Sequence, residues 1–222
     1  METSDELCAE IHRLLDFLPT FKEPHEVPFT NGLYFFYEKG EVSPHSWKGC
    51  IVRVGNHSRS QNRLKERLGL HYSRNKNSSA FRKLVGGAIL RRISLSHLYL
   101  LPGPGQGHWE KQDMPTCEKC KPIEIEVSKL LRSNFWFRCI QIKDKSLRKT
   151  LEKKLIATIS LCPICQPSDS WLGRLAYSER VRCSGLWNIN HVFDEKLKLK
   201  AAEIRTLKEL VALTLKYTRV HI

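Results

Sequence analysis

The chain has 222 residues, 41% of them hydrophobic, with 37 lysines and arginines against 23 acidic residues and a formal net charge of +14. This is apolar material for one domain with extensions or two small ones, and no run approaches the ~20 apolar residues of a membrane span. The acidic opening, with Glu2, Asp5 and Glu6, lacks the basic-then-apolar order of a secretory leader, so the expectation is a soluble, cytoplasmic protein with no membrane partner.

In chain order, residues 5–18 predict a helix, because Leu7, Ile11, Leu14, Leu15 and Leu18 recur at helical spacing. Pro19, Pro24 and Pro28 break the chain after it. Residues 32–37 and 49–54 predict two strands of a hairpin around a long polar loop. Helices are expected over 58–70 and around Phe81, Leu84, Val85, Ala88 and Ile89. Residues 102–116 have the Pro and Gly content of a loop. Residues 123–131 read as a helix, 135–142 as a strand and 146–161 as a strong helix. A loop over 163–184 leads to a short strand over 186–192, and 195–216 predict a long charged helix. The order suggests an α/β fold, a small mixed central sheet flanked by helices. The expected organisation is an N-terminal helix and linker (1–28), a main domain (29–192) and a C-terminal helix (193–222).

The surplus charge is clustered. Residues 53–92 hold 11 lysines and arginines against one acid, Glu66. Phosphate neutralisation favours such a patch, so nucleic acid, with DNA first, is the expected partner. A membrane surface fits less well, because no basic amphipathic helix with an aromatic face accompanies the patch.

Along the helix over 145–161, at about 100° per residue, Leu147, Leu151, Leu155, Ile156 and Ile159 form an apolar arc. Glu152 falls inside it. A carboxylate on a buried face is costly unless it is paired with an arginine or holds a metal, and either implies a polar pocket. Arg67 and His71 are i and i+4, on one helix face, with Arg63 a turn earlier. An arginine fork binds phosphate oxygens bidentately, and histidine exchanges protons near neutral pH. The alternative is a solvated basic face that only touches backbone.

Gly32-Leu33-Tyr34, then Arg53-Val54-Gly55, then Arg67 with His71, Glu152, and an asparagine in Trp187-Asn188-Ile189-Asn190 follow one another in that order. This constellation resembles the GIY-YIG nuclease family over roughly residues 29–192. The stretches 52–57 and 184–188 are similar to one subgroup of stand-alone members. The resemblance implies a metal-dependent endonuclease acting on phosphodiester bonds in DNA. It implies that Glu152 binds one divalent cation, Mg2+ or Mn2+, and that Tyr34 faces the attacking water or the scissile phosphate. Tyr34 or His71 is then the base, Arg67 the phosphate clamp, and Asn188, preferred over Asn190, the supporting amide. The family's second tyrosine is Arg53 here, which clamps phosphate but is no base. Gly55 lets the backbone approach the site closely. His57 and Arg63 complete the expected substrate-binding set, although a plain loop histidine is the simpler reading of His57. Two other functions fit the same residues: a nucleic-acid-binding module that has lost cleavage, and a zinc-stapled interaction protein.

Eight cysteines in a cytoplasmic chain argue against a disulfide framework. Cys117/Cys120 and Cys162/Cys165 have zinc-knuckle spacing, but 41 residues separate the pairs, against ~15–20 in ordinary ribbon sites. A structural Zn2+ held by all four would staple the 102–120 loop to the loop after the Glu152 helix; reduced buried thiols or a redox pair are the alternatives. Cys8, Cys50, Cys139 and Cys183 read as small hydrophobes.

Overall fold

The computed structural model describes residues 3–57, 61–95, 109 and 118–221. They form a three-stranded sheet and seven α-helices: α1 (Ser4–Leu15), β1 (Gly32–Val42), β2 (Gly49–Asn56), α2 (Leu64–Tyr72), α3 (Ala80–Leu95), α4 (Lys121–Asn134), β3 (Phe135–Gln141), α5 (Lys145–Ser160), α6 (Glu179–Ser184) and α7 (Ala201–His221). The α/β class stands. The sheet is not mixed, however: in the order β2-β1-β3 both neighbours run antiparallel to β1. The hairpin dictates the first pairing, and β3 pairs with the other edge of β1 with Tyr34 opposite Cys139.

β1 is the spine. Its residues from Gly32 to Glu38 are all buried, as expected of a central strand covered on both faces. Alternation sends Tyr34 and Phe36 into one core with α2, α3 and α4, and Leu33, Phe35 and Tyr37 into the other with α1, α5 and α7. Each edge of the sheet is occupied. On the β2 side, Trp187 N–H donates to the Val52 carbonyl at 2.6 Å, and the Asn188 side chain bonds both backbone groups of Val54. On the β3 side, Phe21 bridges to Phe137, and Thr214 of α7 accepts the Gln141 N–H at 3.0 Å.

Three further expectations are corrected. The helix predicted from 58 begins at Leu64. Asn62 takes a positive φ of 59°, a conformation asparagine tolerates, and its N–H donates to Asn31 Oδ1 at 2.9 Å, closing a turn before the helix. Residues 58–60 and the loop over 102–108 and 110–116 lie outside the described residues. The strand expected over 186–192 is absent. His191 and Phe193 adopt positive φ (65° and 58°), and the Asn188 side chain replaces the backbone pairing a strand would have made. The loop expected over 163–184 also contains α6. The C-terminal helix covers the sheet through Ile204, Leu207 and Val211, all buried. Among the described residues no helix is long and apolar enough to cross a membrane.

Glu38, buried on β1 opposite Phe135 at the start of β3, accepts from the indole N–H groups of Trp171 (2.8 Å) and Trp187 (3.1 Å). Burial raises its carboxyl from 4.5 to about 7, against those two hydrogen bonds. Between these values the folded chain keeps a proton that the unfolded chain releases. The stabilisation is therefore complete below the unfolded value and is lost as pH rises through 7, by about 3 kcal/mol. Urea unfolding at pH 5 and pH 8 measures it. The expected result is a decline that flattens in Glu38→Gln; parallel profiles for the two proteins would assign the proton elsewhere.

Candidate active site

The start of β1, the end of β2, α2 and α5 converge on one cavity of about 550 Å3, lined in part by Tyr34, Arg53, Asn56, Arg67 and Glu152. Each side chain reaches it for a local reason. Tyr34 shares the sheet face of Phe36, and its ring lies across β2 at Gly55. A β-carbon at Gly55 would stand 2.4 Å from the Tyr34 hydroxyl oxygen and 2.3 Å from Cζ, so only glycine admits the ring there. Arg53, opposite Phe36 in the register, is buried behind the tyrosine. It donates to the Trp187 carbonyl and stacks 5.0 Å from the centre of the Phe81 ring. Burial lowers its basicity, and the neighbouring Tyr34 and Glu152 oppose that fall. Trp187 thus connects the sheet edge, Glu38 and Arg53.

The glutamate is delivered by α5. Asp144 caps the helix by accepting the Leu147 N–H at 2.5 Å, and Arg148 ties its first turn to the end of β3 through the Ile142 and Lys143 carbonyls (2.7 and 2.8 Å). Leu151, Leu155, Ile156 and Ile159 are buried as predicted. Glu152, half-buried, turns toward β2, where Asn56 Nδ2 donates to its Oε2. Among the described residues it makes no ion pair, and no hydrogen bond reaches Oε1. Burial therefore dominates and raises its carboxyl, although Arg53, the Asn56 contact, Arg67 and Lys153 act in the other direction.

His71 behaves differently from the sequence expectation. It does not share an open face with Arg67. It is buried under Tyr34, with Nε2 2.9 Å from the tyrosine hydroxyl and Nδ1 2.8 Å from Ser79 Oγ. Burial, then the charges of Arg53, Arg67 and Arg82, hold it well below its ordinary value, so it is neutral at pH 7. Ser79 Oγ also accepts the Arg82 backbone N–H at 3.2 Å. The Arg82 side chain donates to the His71 carbonyl at 3.0 Å and forms a buried ion pair with Glu124. Removing one partner of such a pair leaves an uncompensated charge in the core, so the pair fixes the end of α2.

Arg67 is half-buried, lines the cavity, and donates to the Ser78 carbonyl at 3.1 Å. Arg63 is exposed at the rim and ion-paired to Glu66. His57 is buried, and its Nε2 accepts the Gly32 N–H at 3.2 Å, which fixes the start of β1. Asn188 does not line the cavity; it holds the register of β2. The residue missed from sequence is Asn56. Its place directly after Gly55, at the cavity end of β2, is the signal that would have found it.

The four-cysteine zinc site is corrected. Cys117 lies outside the described residues, and Cys120 is disulfide-bonded in the core on the Tyr34 face of the sheet. Cys162 and Cys165 sit in the opposite core, so the sheet separates Cys120 from them. Cys162 and Cys165 instead meet Cys8 and His45.

Tyr34, Arg53, Arg67 and Glu152 thus share one cavity beside a small antiparallel sheet. A family profile described as GIY-YIG domain matches residues 8–216, and the chain belongs to the GIY-YIG family. That membership implies nuclease activity on nucleic acid with a metal requirement. Among curated proteins and solved structures nothing matches.

Proposed function

We propose that the protein is an endonuclease that hydrolyses phosphodiester bonds in DNA and requires Mg2+ or Mn2+. The observation that carries this reading is Glu152: a half-buried carboxylate that makes no ion pair among the described residues and opens to the cavity that also contains Tyr34, Arg53 and Arg67. An ion pair with Arg53 would have explained its burial structurally. The donor set suits a hard cation that takes few protein oxygens and keeps its waters. Glu152 would hold it, with Asn56 fixing the carboxylate. When bound, the cation neutralises the charge that develops on the leaving oxygen.

The remaining chemistry belongs to the side chains. Tyr34 orients the attacking water and takes its proton as its own hydroxyl proton passes to His71 Nε2. For that, His71 must be neutral with its proton on Nδ1, directed at Ser79; the depressed basicity and the Ser79 contact support this state. Arg67, with Arg53 behind it, offers N–H donors to the phosphoryl oxygens, where charge grows in the transition state. Gly55, Asn188 and His57 position β1 and β2. Arg53, Lys76 and Arg82 are buried, and the exposed basic residues of the segment over 53–92, Arg74, Arg91 and Arg92 among them, supply non-specific affinity for the DNA backbone.

Incubation with supercoiled plasmid tests the reading. Nicked and linear forms are expected with Mg2+ or Mn2+ and not with chelator. Salt-sensitive binding without cleavage under any divalent ion would instead support a binding module in which Arg53 has replaced a needed tyrosine.

A further inference from the structure

We propose that Cys8, His45, Cys162 and Cys165 form a tetrahedral zinc site that clamps α1, the β1–β2 loop and the turn after α5 together. The site is independent of the nuclease reading. Cys8 lies on α1, His45 in the loop between β1 and β2, and Cys162 and Cys165 in the turn just beyond α5. One ligand atom from each falls within 4.8 Å of all the others. Cys8 Sγ is 3.7 Å from Cys165 Sγ, and His45 Nε2 is 3.3 Å from Cys162 Sγ.

These spacings are the edges of a small tetrahedron. With Zn–S of ~2.3 Å and Zn–N of ~2.0–2.1 Å, tetrahedral angles separate two sulfurs by ~3.8 Å and a sulfur from a nitrogen by ~3.5 Å. A disulfide needs ~2.05 Å between sulfurs, so the cluster has ligand spacing rather than bond spacing. The three thiols are buried and His45 is half-buried. The ligand type, three cysteines and one histidine, is a closed structural zinc set. Its surroundings supply the supporting layer such sites use. His12 Nε2 lies 3.7 Å from Cys165 Sγ, while its Nδ1 is buried without a partner. Cys50 approaches the same sulfur. His12, Cys50 and Cys165 form a second, three-donor group. Being one ligand short of a closed site, it serves better as hydrogen-bonding neighbours than as the metal's holder.

Metal content is read on the full chain, purified under reducing conditions without a histidine tag. About one zinc per chain is expected, unaffected by Cys183→Ser or Cys120→Ser and lost in Cys162→Ser/Cys165→Ser. If the double variant does not fold, Co2+ titration of the unmodified chain replaces it. The expected signals are tetrahedral d–d bands with thiolate charge transfer, competed away by Zn2+, and altered in His45→Ala. Purified chain that contains no zinc and develops no such bands overturns the proposal. So does zinc that survives loss of Cys162 and Cys165 but disappears with Cys120→Ser. Plasmid cleavage is not part of the readout, so failure of the nuclease reading and failure of this one are distinguishable.

Discussion

Replacing Glu152 with glutamine is expected to lower plasmid cleavage by at least about 10³-fold, since a catalytic cation is worth several kcal/mol and ~4 kcal/mol corresponds to that factor. DNA binding, measured in a titration across salt concentrations, should hardly change, because the basic segment that drives it is untouched. Thermal stability should be equal or higher. In the folded chain burial outweighs the neighbouring cations at this carboxyl, so its charge costs the native state more than it returns. The three measurements separate a metal ligand from a structural ion-pair partner. Persistent turnover together with a lower melting temperature would remove Glu152 from the site and return it to the core.

Tyr34→Phe is expected to slow cleavage by ~10²–10⁴-fold, the usual range for loss of a positioned proton-transfer group. It removes only the hydroxyl that bonds His71 Nε2. His71→Gln should have a comparable effect, and the double variant should be little worse than either single one, because groups that act as a unit are not additive. The pH profile provides a further check. His71 lies well below its ordinary value, so its proton-accepting form persists as pH falls from 7 to 6, and the rate should not decline there through histidine protonation. A rate that halves near pH 6.5 in the unmodified chain and loses that inflection in His71→Gln would show a solvated histidine instead. Undiminished cleavage by Tyr34→Phe would remove the tyrosine from the reaction.

Much of this arrangement was legible in the sequence. Glu152 stood out because an acid at the centre of an apolar helical arc must have a polar neighbour, and that neighbour is Asn56. Tyr34 and Gly55 were visible through the Gly32-Leu33-Tyr34 and Arg53-Val54-Gly55 elements, although the reason for the glycine, the ring lying across it, required the third dimension. Helical spacing put Arg67 and His71 on one face but could not say that the histidine would be covered. Its burial depends on α3 and α4, which deliver Ser79, Arg82 and Glu124 from distant parts of the chain. The cysteines show the same limit. Linear spacing pairs Cys162 with Cys165 but cannot choose their companions, and Cys8 and Cys50 looked like ordinary small hydrophobes until the hairpin and α1 brought them together. The missing strand at 186–192 has a local cause: a side-chain amide imitates backbone pairing for one residue, after which two left-handed residues turn the chain away.

The covered flanks of the sheet also decide how this molecule can meet others. An extended peptide seeking to add itself as a fourth strand finds Trp187 and Asn188 already in place beside β2, and Phe21 with Thr214 beside β3. Open strands invite fibrillar self-association; here that route is closed without recourse to net charge. A second copy or a protein companion approaching these positions meets side chains and helices in place of open backbone.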